Sequence, residues 1–241
     1  NAKYPTRFIT LIPEDVSSIL DVGCGDGRIT NRLIPQYGKV VGLESSREAL
    51  RYVKTEKLLG GVDSLPFLDK SFDLILCCEV LEHLPFRVYP KAIDEMERVA
   101  AKYIIVTVPN SEDRKQNFVT CPHCGCVFHP WRHLRSFNLG IVKELFNQFT
   151  LQTFKLCQLP AKVYPTLVVK GARLARLIPG FPVTAVCPQC GYSPSSLSEA
   201  FPRTNTTNKD SLLVHRLRPL TERLIPTRKR GGWLMALYQR R

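Results

Sequence analysis

The sequence predicts an α/β protein built on a doubly wound, mostly parallel sheet. Segments with strand and helix patterns alternate from residue 18 onward, which is typical of β-α-β units whose helices cover both faces of a sheet. The first strand ends in a glycine-rich turn at residues 23–27, a feature shared by several cofactor-binding folds. With 241 residues, the chain is long enough for one such domain with insertions.

The individual elements follow from their residue patterns. The predicted strands are SILDVG, KVVGLE, FDLILCCEV, KYIIVTVPN, TLQTFKL and GGWLMALYQ, and the predicted helices are RITNRLIPQY, SREALRYVKT, PKAIDEMERVA and NLGIVKELFNQF. The alternation is interrupted twice, by a segment rich in Cys and His and by a long proline-rich segment. We therefore expect a core at 1–110, a first insertion at 111–136, a core helix and strand at 137–158, a second insertion at 159–231 and a last core strand at 232–241.

The charge of the chain is strongly positive and unevenly distributed. The net charge is +13, and residues 203–241 contain ten Lys or Arg against two acidic residues. This tail is either a solvated basic face or a contact for a phosphate-bearing substrate, RNA or an anionic membrane surface. No apolar run approaches the roughly 20 residues that span a bilayer, and no cleavable signal pattern is present, so we expect a cytoplasmic protein.

The glycine turn indicates which class of ligand it holds. Gly23, Gly25 and Gly27 have the spacing GxGxG, whereas the dinucleotide fingerprint is GxGxxG. Asp21 precedes the first glycine by two residues. A carboxylate there would repel a pyrophosphate but suits a ligand that carries an ammonium group. S-adenosylmethionine (SAM) is such a ligand, since it has no phosphate and carries both a sulfonium and an amino-acid ammonium.

The motifs SILDVGCGDG, VVGLE, LPFLDKSFDLILCCEVLEHL and YIIVTVPN follow one another in this order. In these motifs and their order, the sequence resembles the class I SAM-dependent methyltransferases over residues 8–158 and the last strand. The resemblance implies a seven-stranded Rossmann-like sheet in which Asp21 and the glycine turn hold the methionine part and Glu44 binds the ribose. The cofactor-binding residues expected from it are Asp21, Gly23, Cys24, Gly25, Gly27, Glu44, Ser45, Val62, Asp63, Cys78 and Glu79. Relatives often have an acid where this chain has Gly61, so the adenine contact comes from Val62, from Asp63 or from both.

A second group of polar residues begins at the end of the predicted strand FDLILCCEV. The sequence EVLEHL places Glu79, Glu82 and His83 on one face if a helical turn follows the strand, and His133 is a candidate to complete the set. Such a group suits a divalent ion such as Mg²⁺, which would acidify a substrate hydroxyl. The alternatives are a polar or basic role for His83 beside the substrate, and a structural role. The candidate catalytic residues are His83, His133 and Glu79.

Four of the nine cysteines form two matched CPxCG knuckles, Cys121 with Cys124 and Cys187 with Cys190. Two such turns predict a tetrahedral four-sulfur zinc site with a structural role, because four thiolates leave no open coordination position. The alternatives are disulfides, or a site in which Cys126 or His129 replaces one ligand. The remaining cysteines are predicted to be small packing residues. Both knuckles follow core strands, so we expect zinc to tie two insertions into a cap over the acceptor pocket.

The sequence does not identify the acceptor. A small metabolite, a glycan or a lipid-linked intermediate is the first expectation, and RNA is the alternative that the basic tail and the zinc knuckles favour. A non-catalytic SAM-binding or zinc-bridged interaction protein is the third. In HPWRHLRSF, Trp131 is either an acceptor platform or a buried residue under the cap, and Arg132 and Arg135 contact either an anionic acceptor or solvent. The basic stretch at 162–178 either contacts a membrane surface or packs on the core.

Overall fold

A computed structural model describes residues 6–162, 181–182, 185–194 and 227–241. The predicted basic helix at 163–178 and most of the basic tail lie outside the described residues. The strands are β1 (Ser18–Val22), β2 (Lys39–Glu44), β3 (Glu56–Leu59), β4 (Phe72–Cys78), β5 (Ala100–Pro109), β6 (Val119–Thr120), β7 (Val127–Phe128), β8 (Phe149–Lys162) and β9 (Thr227–Arg240). The α-helices are α1 (Thr30–Leu33), α2 (Arg47–Leu50), α3 (Tyr89–Val99), α4 (Arg114–Asn117) and α5 (Leu139–Lys143), and 3₁₀ turns cover Thr6–Leu11 and Leu81–His83.

Seven strands form one sheet in the order β3-β2-β1-β4-β5-β9-β8. The pairs β1–β2, β1–β4, β2–β3 and β4–β5 are parallel, and β9 runs antiparallel to β5. This arrangement confirms the predicted fold class. The chain passes from β3 back across to β4 next to β1, so the strand order reverses between β1 and β4. Ligands of open α/β sheets bind at the carboxyl ends of the strands at such a switch point.

Alternating residues of the strands face two hydrophobic clusters, which explains why the strands are apolar throughout. On one face, Leu20 of β1 and Ile75 of β4 pack with Met96 of α3 and Val142 of α5. On the other face, residues such as Ile19, Leu74 and Leu76 pack with Phe8 and Leu33. Because both faces are buried, the central strands show near-continuous apolar runs in place of alternation with polar residues.

The elements differ from the sequence-based prediction in several respects. Helices α1, α2 and α5 are shorter than predicted, whereas α3 has the predicted length. Helix α1 ends just before the residue that precedes Pro35, where proline disfavours helical backbone. β3 was not predicted because its sequence EKLL lies at the edge of the sheet and is mostly exposed, so it has no hydrophobic pattern. Among the described residues, no helix combines the length and the hydrophobicity needed to cross a bilayer.

The chain divides into two compact units. The first comprises Asn1–Glu112, Leu134–Cys157 and Gly231–Arg241, and it contains the central strands of the large sheet together with α3 and α5. The second comprises Asp113–His133 and Gln158–Arg230. Within the second unit, β6 and β7 form an antiparallel hairpin. A small core that includes Val119, Phe128 and Phe181 surrounds Cys121 and Cys187.

Candidate active site and metal centre

The glycine turn lies at the carboxyl end of β1, beside the switch point. Gly23, Gly25 and Gly27 have φ values of +73°, +54° and +72°, a region in which residues with a Cβ are strained. A Cβ at Gly23 would lie 2.5 Å from Val80 Cγ2, and one at Gly27 would lie 3.0 Å from the Val53 Cα. The turn therefore requires glycine at both positions, whereas a Cβ at Gly25 would meet nothing within 4 Å among the described residues.

Asp21 lies at the end of β1 and is almost completely buried. Its Oδ2 accepts a hydrogen bond of 2.7 Å from the hydroxyl of Thr30. Burial raises the pKa of Asp21 to about 6, the Thr30 hydrogen bond opposes this effect, and the nearby Glu44 adds to it. A cationic ligand group would therefore stabilise the ionised form of this carboxyl group.

Glu44 ends β2 and is tied directly to the glycine turn. Its Oε2 accepts a hydrogen bond of 3.1 Å from the Gly25 N–H, and its Oε1 accepts hydrogen bonds from the Ser45 hydroxyl and the Ser46 N–H. The Gly23 N–H donates to the Leu43 carbonyl oxygen at 2.7 Å. These bonds place the Glu44 carboxylate against the turn and leave one acceptor site on Oε2 for a further donor.

The loop after β3 carries Val62 and Asp63, both partly buried. The carboxyl group of Asp63 reaches back over Gly61, where a Cβ would lie 2.7 Å from Asp63 Oδ1. Helix α3 holds the following residues through Glu95 and Arg98. Arg98 pairs with Glu95 and donates to the carbonyl oxygens of Phe67 and Leu65, while the Leu65 N–H donates to Glu95. We call Glu95 and Arg98 the clamp; neither residue was predicted from the sequence to have a role.

Glu79 follows β4 with a left-handed backbone, at φ +56°. Its N–H donates to the Thr107 carbonyl oxygen, the Thr107 hydroxyl donates to Glu79 Oε1 at 3.0 Å, and the Trp233 Nε1–H donates to Glu79 Oε2 at 2.8 Å. Thr107 and Trp233 were not predicted as site residues. No local pattern could reveal them, since Trp233 lies 154 residues away in the sequence.

Glu82 is completely buried in the 3₁₀ turn after β4. Neither of its carboxyl oxygens has a hydrogen-bond partner among the described residues, and Nε2 of the partly exposed His83 lies 3.9 Å from Oε1. Burial and the neighbouring Glu79 raise the pKa of Glu82 to about 9. Glu82 thus lies beside His83 and near Glu79, and a shared metal site of the three residues stays a prediction.

His133 belongs to the second unit, where its ring stacks on that of His129 with a centroid distance of 4.7 Å. Trp131 is about half exposed and contacts both histidine rings. Arg135 belongs to the first unit, where it donates to the Leu81 carbonyl oxygen and lies over the Tyr89 ring at 4.1 Å. The role of His133 beside Glu79 and His83 stays a prediction.

The four predicted zinc ligands converge within the second unit. The sulfurs of Cys121, Cys124, Cys187 and Cys190 all lie within 4.8 Å of one another, with 3.7 Å between Cys121 and Cys190 and 3.6 Å between Cys124 and Cys187. Four sulfurs placed tetrahedrally at about 2.3 Å from a zinc ion are separated by about 3.8 Å. The four-sulfur cluster therefore fits a zinc ion.

The two knuckles have equivalent backbone hydrogen bonds. The Gly125 N–H donates to the Cys121 carbonyl oxygen and the Gly191 N–H to that of Cys187, each at 3.0 Å, and both glycines have positive φ. Burial opposes ionisation of Cys187, but hydrogen bonds from the N–H groups of Cys190 and Gln189 lower its pKa to about 6. A lowered thiol pKa favours the thiolate form that binds metal.

The cysteines near the glycine turn have the opposite character. Burial raises the pKa of Cys24 to about 12, with Asp21 and Glu44 adding to the effect, and burial also raises the pKa values of Cys77 and Cys78. These thiols are poor nucleophiles. Cys24 instead packs over Gly42, where a Cβ would lie 2.8 Å from its sulfur.

Comparisons with known proteins agree with this fold. Residues 20–103 match a family described as Methyltransferase domain. An uncharacterized methyltransferase of Schizosaccharomyces pombe is 38% identical over 100 residues, which cover 34% of this chain and 35% of that protein. A ubiquinone biosynthesis O-methyltransferase of Ralstonia nicotianae is 34% identical over 77 residues, covering 28% and 32%. The matched regions thus span about a third of the length of these curated relatives.

A solved structure resembles nearly the whole chain. A putative methyltransferase from Bacillus halodurans covers 97% of this chain, with 96% of its own length, at a TM-score of 0.59 and 14% identity. At this identity the likeness concerns the fold alone. The fold is therefore the Rossmann-like fold of class I methyltransferases, and residues 20–103 resemble a methyltransferase domain.

Proposed function

We propose that this protein transfers a methyl group from SAM to an acceptor and that a structural zinc ion stabilises its second unit. The observation that carries the proposal is the glycine turn at the carboxyl end of β1, beside the switch point of the sheet. There, three glycines have positive φ, and the carboxyl groups of Asp21 and Glu44 lie close to them. In the described part of the chain, a Cβ at Gly25 would meet no protein atom within 4 Å, so the space in front of this glycine suits a close-lying nucleoside.

In this proposal the chain binds SAM through the side chains and backbone that surround the turn. Asp21, with Gly23, Cys24, Gly25 and Gly27, holds the methionine part. Glu44 accepts hydrogen bonds from the ribose hydroxyls, with Ser45 next to it, and Val62 and Asp63 contact the adenine. Cys78 and Glu79 border the methyl-donor end. SAM supplies an electrophilic methyl group, and the raised thiol pKa values favour direct displacement over a methylated cysteine.

The residues after β4 are the candidates for handling the acceptor. His83 is partly exposed, so it can reach a substrate and take a proton from an acceptor hydroxyl. His133 is the second candidate for this role, and Glu79 would orient the acceptor. Most of the rate enhancement would come from holding the acceptor in line with the methyl group.

A divalent ion at Glu79, Glu82 and His83 is a second candidate for activating the acceptor. The observation that favours it is the buried carboxyl group of Glu82, which has no hydrogen-bond partner among the described residues. A cation such as Mg²⁺ would favour the ionised form of this carboxyl group and lower the pKa of a bound hydroxyl. Calorimetric titration with Mg²⁺ and Mn²⁺, compared between the wild type and Glu82→Gln, tests this point.

For the acceptor, we propose a small molecule, a glycan or a lipid-linked metabolite. The likeness to a protein named as a ubiquinone biosynthesis O-methyltransferase supports this class. RNA is the alternative, supported by the net charge of +13. RNA binding would show a steep dependence on salt concentration, and contact with anionic lipids would appear as co-sedimentation with liposomes. A non-catalytic SAM-binding, zinc-bridged interaction protein would bind SAM yet transfer no methyl group to any acceptor.

The zinc proposal rests on the sulfur separations in the second unit. Zinc would join segments that are far apart in the sequence, since Cys121 and Cys190 come from different knuckles. The idea that this unit caps the acceptor pocket stays a prediction from the chain connectivity. Elemental analysis of purified protein should find one zinc per chain, and a chelator should disrupt the second unit before it abolishes SAM binding.

Isothermal titration with SAM and with its demethylated product, S-adenosylhomocysteine (SAH), tests the central claim. The wild type should bind both ligands, and Glu44→Ala should weaken both. Glu48→Ala is the matched control, because Glu48 lies four residues further along the chain, in α2, and pairs with the exposed Arg51. A folded wild-type protein that binds neither ligand would refute the enzyme assignment. If the wild type binds SAH, co-crystallisation with SAH would show which side chains line the space in front of the sulfur.

A further inference from the structure

The carboxylate of Glu79 is held by residues from two neighbouring strands. Thr107, in β5, is completely buried and donates to one carboxylate oxygen, while Trp233, in β9, donates to the other. The left-handed backbone of Glu79 is a strained conformation for a residue other than glycine. Strain that is maintained by specific hydrogen bonds often marks a functional site.

Glu79 also lies beside the glycine turn. In the parallel register of β1 and β4, Asp21 is opposite Leu76, so the turn that follows β1 and the residues that follow β4 emerge side by side. The next residue, Val80, lies so close to Gly23 that a Cβ there would overlap its side chain. Glu79 is therefore at the switch point of the sheet, where the methyl-donor end of a ligand would lie.

We propose that Trp233 and Thr107 are positioning residues that hold the Glu79 carboxylate against the sulfur of the bound ligand, so that the site prefers SAM to SAH. This inference rests on the proposed function. In this proposal the last strand, β9, has a role in the site, because its Trp233 donates a hydrogen bond to Glu79. The preference would help the protein to release its product and bind new substrate.

The two ligands differ only at the sulfur atom. SAM and SAH share the adenine, the ribose, the ammonium and the carboxylate, so Asp21, Glu44 and Asp63 would treat them alike. SAM alone carries a methyl group and a positive charge on sulfur. A carboxylate that favours SAM over SAH must therefore be close to the sulfur, and the ratio of the two dissociation constants isolates its contribution.

The experiment measures the dissociation constants of SAM and SAH by calorimetry for the wild type and a set of variants. Glu79→Gln keeps the size of the side chain and removes its charge, and it should reduce the preference for SAM about tenfold, a loss of about 1.4 kcal/mol. Trp233→Phe and Thr107→Val each remove one donor and should reduce it about threefold, less than the loss of the charge, because the other donor still holds the carboxylate. Trp131→Phe, in the other tryptophan, should leave the preference unchanged.

A double-mutant cycle separates positioning from a structural effect. Because Trp233 acts through Glu79, Trp233→Phe should have no further effect on the preference when Glu79→Gln is already present. Equal weakening of SAM and SAH binding in Trp233→Phe would mean a merely structural role and would overturn the inference. So would an unchanged preference in Glu79→Gln, a variant that does not depend on how well Trp233→Phe folds. If the wild type binds neither ligand, the proposed function fails and this inference fails with it.

Discussion

Replacing Asp21 by Asn should flatten the pH dependence of stability between about pH 4 and pH 7. Asp21 is almost completely buried, and its pKa is raised from 3.8 to about 6, mainly by burial. A difference of about 2 pKa units corresponds to about 3 kcal/mol, since each unit is worth about 1.4 kcal/mol. This is the free energy that the folded protein loses by keeping an ionised carboxyl group at this position.

The sign of the effect follows from proton binding. Below pH 3.8 the carboxyl group is protonated in both the folded and the unfolded state, so it contributes nothing to the pH dependence. Between pH 3.8 and about 6 the unfolded chain has released its proton while the folded protein keeps it, so stability falls as the pH rises. Above about pH 6 the full loss of about 3 kcal/mol is present. Asp21→Asn should therefore be more stable than the wild type at pH 7 and about equally stable at pH 4.

The assay is chemical unfolding of the SAM-free protein at several pH values, followed by circular dichroism. Asp26→Asn is the matched control, because Asp26 lies in the same turn but is about half exposed. Thr30→Val should steepen the slope, since the Thr30 hydroxyl stabilises the ionised form of Asp21. If the Asp21→Asn and wild-type curves stay parallel across this pH range, burial does not control this carboxyl group and the reasoning is refuted.

Three further predictions concern the turn, the clamp and the metal site. Gly23→Ala should abolish SAH binding and lower the free energy of unfolding by more than about 2 kcal/mol. Gly25→Ala should lower the free energy of unfolding by about 1 kcal/mol, because its Cβ would meet no atom of the described segments within 4 Å. Calorimetry measures the binding of SAH, and chemical unfolding measures the stability of both variants. Arg98→Met should cost about 2 kcal/mol by removing the donor to two carbonyl oxygens and to the carboxylates of Glu95 and Asp69. Arg51→Met, in an exposed pair, should cost under about 0.5 kcal/mol, and equal losses in the two variants would contradict the role of Arg98. Cys187→Ser should lower the zinc content from one ion per chain towards zero by elemental analysis.

Much of the fold and some of the candidate site were predictable because their signals are local. The alternation of apolar strands and helices reflects the repeat of each backbone conformation, and both faces of the sheet are buried as that pattern implies. Glycines at positive φ and the CPxCG knuckles are likewise properties of a few adjacent residues. The edge strand β3 escaped prediction because its exposed residues carry no such pattern.

By itself, the sequence determined where the glycine turn ends β1, that Asp21 precedes it, and which cysteines form two knuckles. Only the tertiary structure decided that Trp233 and Thr107 donate to Glu79, that Arg98 clamps the loop after β3, and that the Glu82 carboxyl group is buried without a hydrogen-bond partner among the described residues. The reason is physical: backbone conformation depends on neighbouring residues, whereas burial and hydrogen bonds across strands depend on segments that only the folded sheet brings together.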